Sequence, residues 1–483
     1  MNTRREFLKR TLSGGVVLLA AACAPGGGQP ASTAPPAAKP TEAPAAKPTS
    51  APAAATTAPA AAKPTEAPAA AAKPAAQAPA NLSGATVSLL QWNHFIPTAD
   101  PFFKQQADDW GKQTGVNITV ETINGNDLVP RFTAALQGQS GPTIFQMQHL
   151  QPFTFAEGLQ DLTDLAKEIE PKYGKFYDQV NTSGNVDGKY RGIPYNIVGN
   201  AFVYRKSMFD KAGAQIPTTW DEFRAAAKSL KATGKPFGQT FGQTFGDAPS
   251  FFYPLMWAFG GKELQEDSKT VAINSKETIA AVEYAAGLWK DGLDERGLSW
   301  DDNNNNAAFL AEEISCTLNG ASIYFVGAGL DGKTPPKEWA GDMDHYLVPK
   351  GPAGQFAWYT VFTHGIPTYV KGKDSDASRE FLRYVYDPKQ FDAWFEENKG
   401  YSVGPGDRLE SHKMWDTLPK PLAPFRAAGK AGRALGYAGK PSAKVQEVQS
   451  KYVIVNMFAR AVQGTSPEDS VKQAEAEMKQ IFG

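Results

Sequence analysis

Cysteine is nearly absent from this chain: 483 residues hold two, Cys23 and Cys316. A framework of several disulfides is therefore excluded, and no Cys/His cluster has metal-ligand spacing. Excess charge of either sign is also missing. The net charge is −1, split into about +5 on residues 1–80 and about −6 on the rest. A weakly acidic body argues against a nucleic-acid partner. No apolar run is long enough for a permanent membrane span, since the N-terminal stretch Val16–Ala22 is too short. A phosphate-cradling loop, a dinucleotide fingerprint and a Ser-His-Asp arrangement are missing too. What remains is room for two or three domains, and aromatic residues at 11%, ten of them Trp.

Residues 1–22 read as an export signal: a twin-arginine pattern, Thr3–Lys9, precedes the apolar stretch and ends at Ala20-Ala21-Ala22-Cys23. That ending resembles a lipobox, with Ala20 where Leu is usual, and implies lipidation of Cys23. With Cys23 acylated, Cys316 has no partner and reads as a small buried apolar residue. Residues 23–82 are almost all Ala, Pro, Lys, Thr and Glu, with AAKPTEAP at 61–68 and a near-copy from Ala37. Proline every few residues forbids long helices and favours polyproline II, giving a tether of about 180 Å if fully extended.

The body begins near residue 83. Strand Thr86–Leu90 delivers Trp92-Asn93-His94-Phe95, and helix Pro101–Gly115 follows, with Phe102, Phe103, Ala107 and Trp110 on one side. Strand Val116–Ile123, helix Leu128–Gln137 and strand Thr143–Gln148 complete a β-α-β-α-β order, which predicts a doubly wound sheet. Asp187-Gly188 then turns into a strand carrying Ile193-Pro194-Tyr195-Asn196, continued by Ala201–Tyr204. A helix over Lys206–Ala212 stops at Gly213, and Thr219 with Glu222 forms a capping box for the next. FGQTFGQTFG reads as a Gly-rich loop between strands, and Val445–Val462 as one helix.

The segment DGKYRGIPYNIVGNAFVYRKSMFDKAGAQIPTTWDEF closely resembles extracellular solute-binding proteins of ABC importers, the sugar-binding group related to maltose-binding protein. Further resemblances lie in SFFYPLMWAFGGKEL, VAINSKETIAAVEYAAGLWKDG, REFLRYVYDPKQFDAW and the final SPEDSVKQAEAEM. Together they cover about 400 residues. The resemblance implies an α/β, two-lobed, type II periplasmic-binding-protein-like fold, each lobe a doubly wound sheet with flanking helices, joined by hinge crossovers. Lobe I would take 83–197 plus 364–398, and lobe II 198–363 plus 399–483. The implied protein is an exported, membrane-anchored monomer that hands its solute to ABC permease subunits, with no cofactor and no metal.

Two lobes leave a cleft for a small ligand. Sugars need flat apolar faces and paired polar groups, which Trp, Tyr, Asn, Gln and His supply. Trp110, Trp289, Trp394 and Trp220 lie on helices at core spacing, whereas Trp92, Trp257, Trp300 and Trp358 end strands or helices at lobe junctions. Stacking on a ligand and core packing are both open for this second set, and ligand loss with an unchanged melting point on Trp257→Ala or Trp300→Ala would favour stacking. Asn93, His94, Gln148, His149, Asn196, Asn319 and His364 stand where the family often presents polar contacts, and Tyr195 and Tyr401 belong to crossovers. Asp301, Asn303, Asn305 and Glu312 have calcium-loop spacing, but Asn306 replaces the required glycine and a helix start explains the same letters.

A sugar or oligosaccharide binder is the leading reading. A secreted carbohydrate-active enzyme of glycosidase type competes, and would need two carboxyls about 5–10 Å apart. Asp301, Asp302 and Asp342 are the loop acids available for it. A polyamine binder should show several cleft acids, and no such cluster is evident in the sequence.

Overall fold

A computed structural model describes residues 81–483. The expected export signal, the lipidation of Cys23 and nearly all of the tether lie outside the described residues.

The first sheet begins as its pattern predicts. Strand Thr86–Trp92 pairs in parallel with Asn117–Ile123 and Ile144–Gln148. The helix between the first two, Ala99–Thr114, buries Phe103, Ala107 and Trp110, which share one face at 3.6-residue periodicity. It stops at Gly115, whose φ of 71° suits glycine and lets its N–H reach the Gly111 carbonyl. Helix Gly125–Gly138 is capped by the Asn124 side chain, which accepts from the Asn126 N–H.

Three antiparallel strands extend this sheet. Its order is Ser402–Val403, Ile193–Val198, Thr360–Gly365, Ile144–Gln148, Thr86–Trp92, Asn117–Ile123. The second sheet is smaller and wholly antiparallel, with Ala201–Arg205 between Cys316–Asn319 and Met343–Tyr346. Two large apolar clusters fill the body, and the first takes in Ala201, Val203 and Met343 of the second sheet as well as first-sheet residues. Phe103, Phe145, Tyr195, Phe381 and Trp394 belong to one, and Phe202, Trp220, Phe251, Trp257 and Phe458 to the other.

Ile193–Val198 lies inside the first sheet and Ala201–Arg205 at the centre of the second, so two residues, Gly199 and Asn200, carry the chain across. The return runs from Tyr346 to Thr360. Ser402–Val403 adds to the first sheet, although the sequence reading grouped residues from 399 onward with the second lobe, whereas Phe425 packs on His345 of the second sheet at 5.1 Å. The capping box is present: the Thr219 hydroxyl accepts from the Glu222 N–H, and Glu222 accepts from the Thr219 N–H.

Two local expectations change. The helix foreseen over Val445–Val462 is two helices, Ala443–Ser450 and Val453–Val462, because Tyr452 takes a left-handed φ of 56° between them. FGQTFGQTFG does not join two strands; it feeds helix Asp247–Phe259, whose N-terminal residues it turns toward the first lobe.

Trp257 is wholly buried in the second core, and its indole N–H donates to Glu263 Oε2 at 3.0 Å. Trp257→Ala would leave both a cavity and a buried carboxyl oxygen, Glu263 Oε2, without its donor. Urea unfolding without ligand should show a loss of about 3–5 kcal/mol.

Candidate functional site between the lobes

The ends of the strands that cross between sheets converge on a pocket with an empty volume of ≈ 370 Å³. The first lobe and the crossings contribute Trp92 and Phe95, then Val198, Asn200, Thr360 and Tyr401. Trp92 ends the first strand and stacks on Phe362 with centroids 5.1 Å apart and planes at 17°. Tyr401 lies on its other flank, 6.3 Å away and near-parallel. The rings therefore brace one another, and the indole is held in one orientation.

The second lobe supplies the polar side. Gly246, Asp247 and Ser250 come from the start of helix Asp247–Phe259, Asn319 and Gly320 from the end of a strand, and Asp302 from the loop before helix Asn304–Leu310. Asn319 Nδ2 donates to Asp247 Oδ2 at 3.3 Å and to Asn306 Oδ1 at 2.5 Å. Across the hinge, Asn200 Nδ2 donates to Ser250 Oγ at 2.8 Å. Gly320 must be glycine for this packing, since a Cβ there would lie 2.9 Å from the Tyr401 ring.

Asp302 Oδ1 accepts the Asp247 backbone N–H at 2.9 Å, which caps the helix from outside and sets two carboxyls side by side. Asp247 Oδ2 also accepts from Asn305 Nδ2 at 2.7 Å. Burial pushes Asp302 up to about 6, opposed by its hydrogen bonds. Burial, and then the Asp302 charge, lift Asp247 well above the usual carboxylate range.

Phe245 also lines a second cavity, of ≈ 290 Å³, between Gly125–Pro130 with Gln148, His149 and Gln151 on one side and Gln449, Ser450 and Tyr452 on the other. His149 is buried, takes a left-handed φ of 49°, and stacks on Trp358 with centroids 4.4 Å apart. Desolvation holds its imidazole neutral, with a pKa of about 3. Gln148 Nε2 and both His149 ring nitrogens lack a hydrogen-bond partner.

Of the residues expected from sequence, Trp92, Asn319 and Tyr401 share the first pocket, and Gln148 and His149 line the second. The others line neither. Asn93 is exposed, and His94 is held by Asp100 at 2.6 Å. Tyr195 and His364 pack together at 4.5 Å in the first core, and Asn196 Nδ2 donates to Ser402 Oγ at 3.2 Å beside them. Trp257 and Trp358 belong to the second core, and Trp300 lies over Gly238. A tryptophan ending a helix faces its own core whenever that core is nearer than the cleft. Of the loop acids, Asp302 enters the pocket, Asp301 is exposed, and Asp342 pairs with Arg205 at 2.7 Å.

Sequence reasoning missed Phe95, Asn200, Phe245, Asp247, Ser250 and Thr360. The available signal was a tandem FGQT repeat running into an acidic helix start. Among the described residues no group of three His, Cys, Asp or Glu could hold a metal ion.

Residues 105–418 match the family model described as "Bacterial extracellular solute-binding protein". The diacetylchitobiose binding protein DasA of Streptomyces coelicolor is 22% identical over 398 residues, covering 81% of this chain and 88% of the relative. An arabinooligosaccharide-binding protein of Halalkalibacterium halodurans is 24% identical over 340 residues, 65% of this chain and 74% of the relative. The maltose-bound MalE3 of T. maritima superposes with a TM-score of 0.70 at 18% identity, covering 82% of this chain and 100% of that one. At that identity the superposition speaks to the fold alone: both chains share the same α/β architecture.

The raised Asp302 carboxyl makes a signed prediction. Its folded pKa lies above the unfolded value of 3.8, so folding is weakened as pH rises from about 4 to 6, and the penalty is complete above 6. Asp302→Asn keeps the oxygen that accepts the Asp247 N–H but removes the charge. It should stabilise the ligand-free protein at pH 7.5 by on the order of 1–3 kcal/mol and change nothing at pH 3.5, as read by denaturant melts at both.

Proposed function

This chain belongs to the bacterial extracellular solute-binding protein family, and we propose that it captures a sugar or oligosaccharide between its lobes for ABC import. The observation that carries the reading is the composition of the interlobe pocket. Braced rings from one lobe, Trp92 and Tyr401, face carboxamide, hydroxyl and carboxyl groups from the other, Asn319, Ser250 and Asp247. Rings cover the C–H faces of a pyranose, and the polar set pairs with its hydroxyls. Relatives named for diacetylchitobiose and arabino-oligosaccharides support the same solute class.

Binding to both walls stabilises the closed arrangement over the open one, by the difference in the solute's affinity for the two. Membrane permease subunits would then recognise the closed form. Membership of an extracellular family makes this an exported protein. Export by the twin-arginine route, anchoring through Cys23, a tether up to residue 82 and a monomeric state complete the proposal.

Two buried carboxyls in the pocket keep glycoside hydrolysis as the competing reading. Against it, both acids come from the same lobe, and Asp302 is engaged in capping the Asp247 helix, whereas hydrolysis needs carboxyls flanking the bond. A thermal-shift screen of the purified protein against mono- and oligosaccharides tests capture. A solute at a hundredfold over its Kd should add about 2.7 kcal/mol, and Trp92→Leu should weaken that solute at least tenfold. Chromatography of the recovered solute should show it unaltered; cleaved product would replace the binding reading with the enzymatic one.

A further inference from the structure

The charge in the pocket is one-sided. Asp247 and Asp302 both line it, no Lys or Arg does, and neither carboxyl has an ion-pair partner among the described residues. Burying two adjacent acids without a cation costs folding free energy, so their retention at the ligand site needs a reason in the ligand. A second observation lies on the opposite wall. Tyr401 is 3% exposed and lines the pocket, yet its hydroxyl has no hydrogen-bond partner among the described residues. Tyr401 and the two carboxyls line the same pocket from opposite lobes. The third feature is the ring set: Trp92, Phe95, Phe245 and Tyr401 present π faces and edges to the same space.

We propose that the captured solute carries a protonated primary amine, with amino sugars as the class that joins an ammonium group to the C–H faces the rings require. The inference rests on the sugar-capture reading and adds the solute's charge. A primary ammonium has three N–H donors and no acceptor, which suits the two carboxyls and the Tyr401 oxygen. The surrounding rings add cation–π attraction once water is displaced. A neutral sugar could donate hydroxyls to the same acceptors, but would leave the two buried acids without a cation.

The other titratable groups acting on this set are Asp301 beside Asp302, Asp100 (held by His94) and Tyr452. None is a lysine or arginine. Since burial raises both carboxyls in the empty protein, an arriving ammonium should draw them back down and release protons.

The test compares solutes that differ only in charge. Glucosamine and its two- to four-unit oligomers are titrated calorimetrically into the full-length protein at pH 7.5, alongside their N-acetylated, neutral counterparts. The free amines should bind at least tenfold tighter. The Asp247→Asn/Asp302→Asn double variant, with a melting temperature no lower than the parent, should lose that preference. Equal binding of the two series, or preference for the neutral one, overturns the charge inference and leaves sugar capture standing. Binding of spermidine with no sugar of either kind sinks sugar capture and upholds the charge assignment. Binding of no amine at all overturns the proposal.

Discussion

Everything about the site follows from the two-residue passage between strands. Ile193–Val198 is hydrogen-bonded on both sides in the larger sheet, and Ala201–Arg205 on both sides in the smaller. Neither can move without its sheet. With only Gly199 and Asn200 between them, this crossing leaves two residues of backbone to turn between the sheets, beside the longer return from Tyr346 to Thr360. Gly199 has little spare room, since a Cβ there would lie 3.0 Å from that of Ala428. Val198 and Asn200 then line the pocket because they flank the joint.

A joint of this kind separates stability from recognition. Each lobe buries its own aromatic set, so most large rings serve the cores. The pocket receives those at strand ends, where the backbone leaves a sheet and the next side chain has no partner of its own. Trp92 and Tyr401 show how such a residue is kept rigid while lining the pocket: the two rings lie near-parallel, and Phe362 stacks on Trp92. On the opposite wall, the Asp247 helix start and the Asp302 loop do the corresponding work with charge. A carboxyl that caps a helix from a separate loop ties the loop to the helix, and brings two acids closer than either would settle alone.

The buried histidines follow the same division. His149, His345 and His364 are held neutral by desolvation, with pKa values of about 3, 4 and 3. Only His149 lies at a cavity wall; His364 bonds Tyr386 in the first core, and His345 the Pro421 carbonyl. Residue type alone does not separate these cases. Distance from the interlobe surface does.

Sequence by itself determined most secondary elements of the first sheet and the passage strand, and pointed to the family by resemblance. Hydrophobic periodicity, capping residues and the string from Asp187 to Phe223 are local features, and local features survive in a one-dimensional reading. It also nominated Trp92, Asn319 and Tyr401, which line the same pocket, from their places at element ends and crossings in the resemblance. Only the tertiary structure decided that Trp257 and Trp358 pack inward, that Ser402–Val403 joins the first sheet, and that Asp247 meets Asp302. The physical reason is that those outcomes depend on which of two nearby apolar surfaces a ring reaches first, and on two loops 55 positions apart arriving at one point. Such facts are set by packing between elements, and leave no periodic trace in the chain.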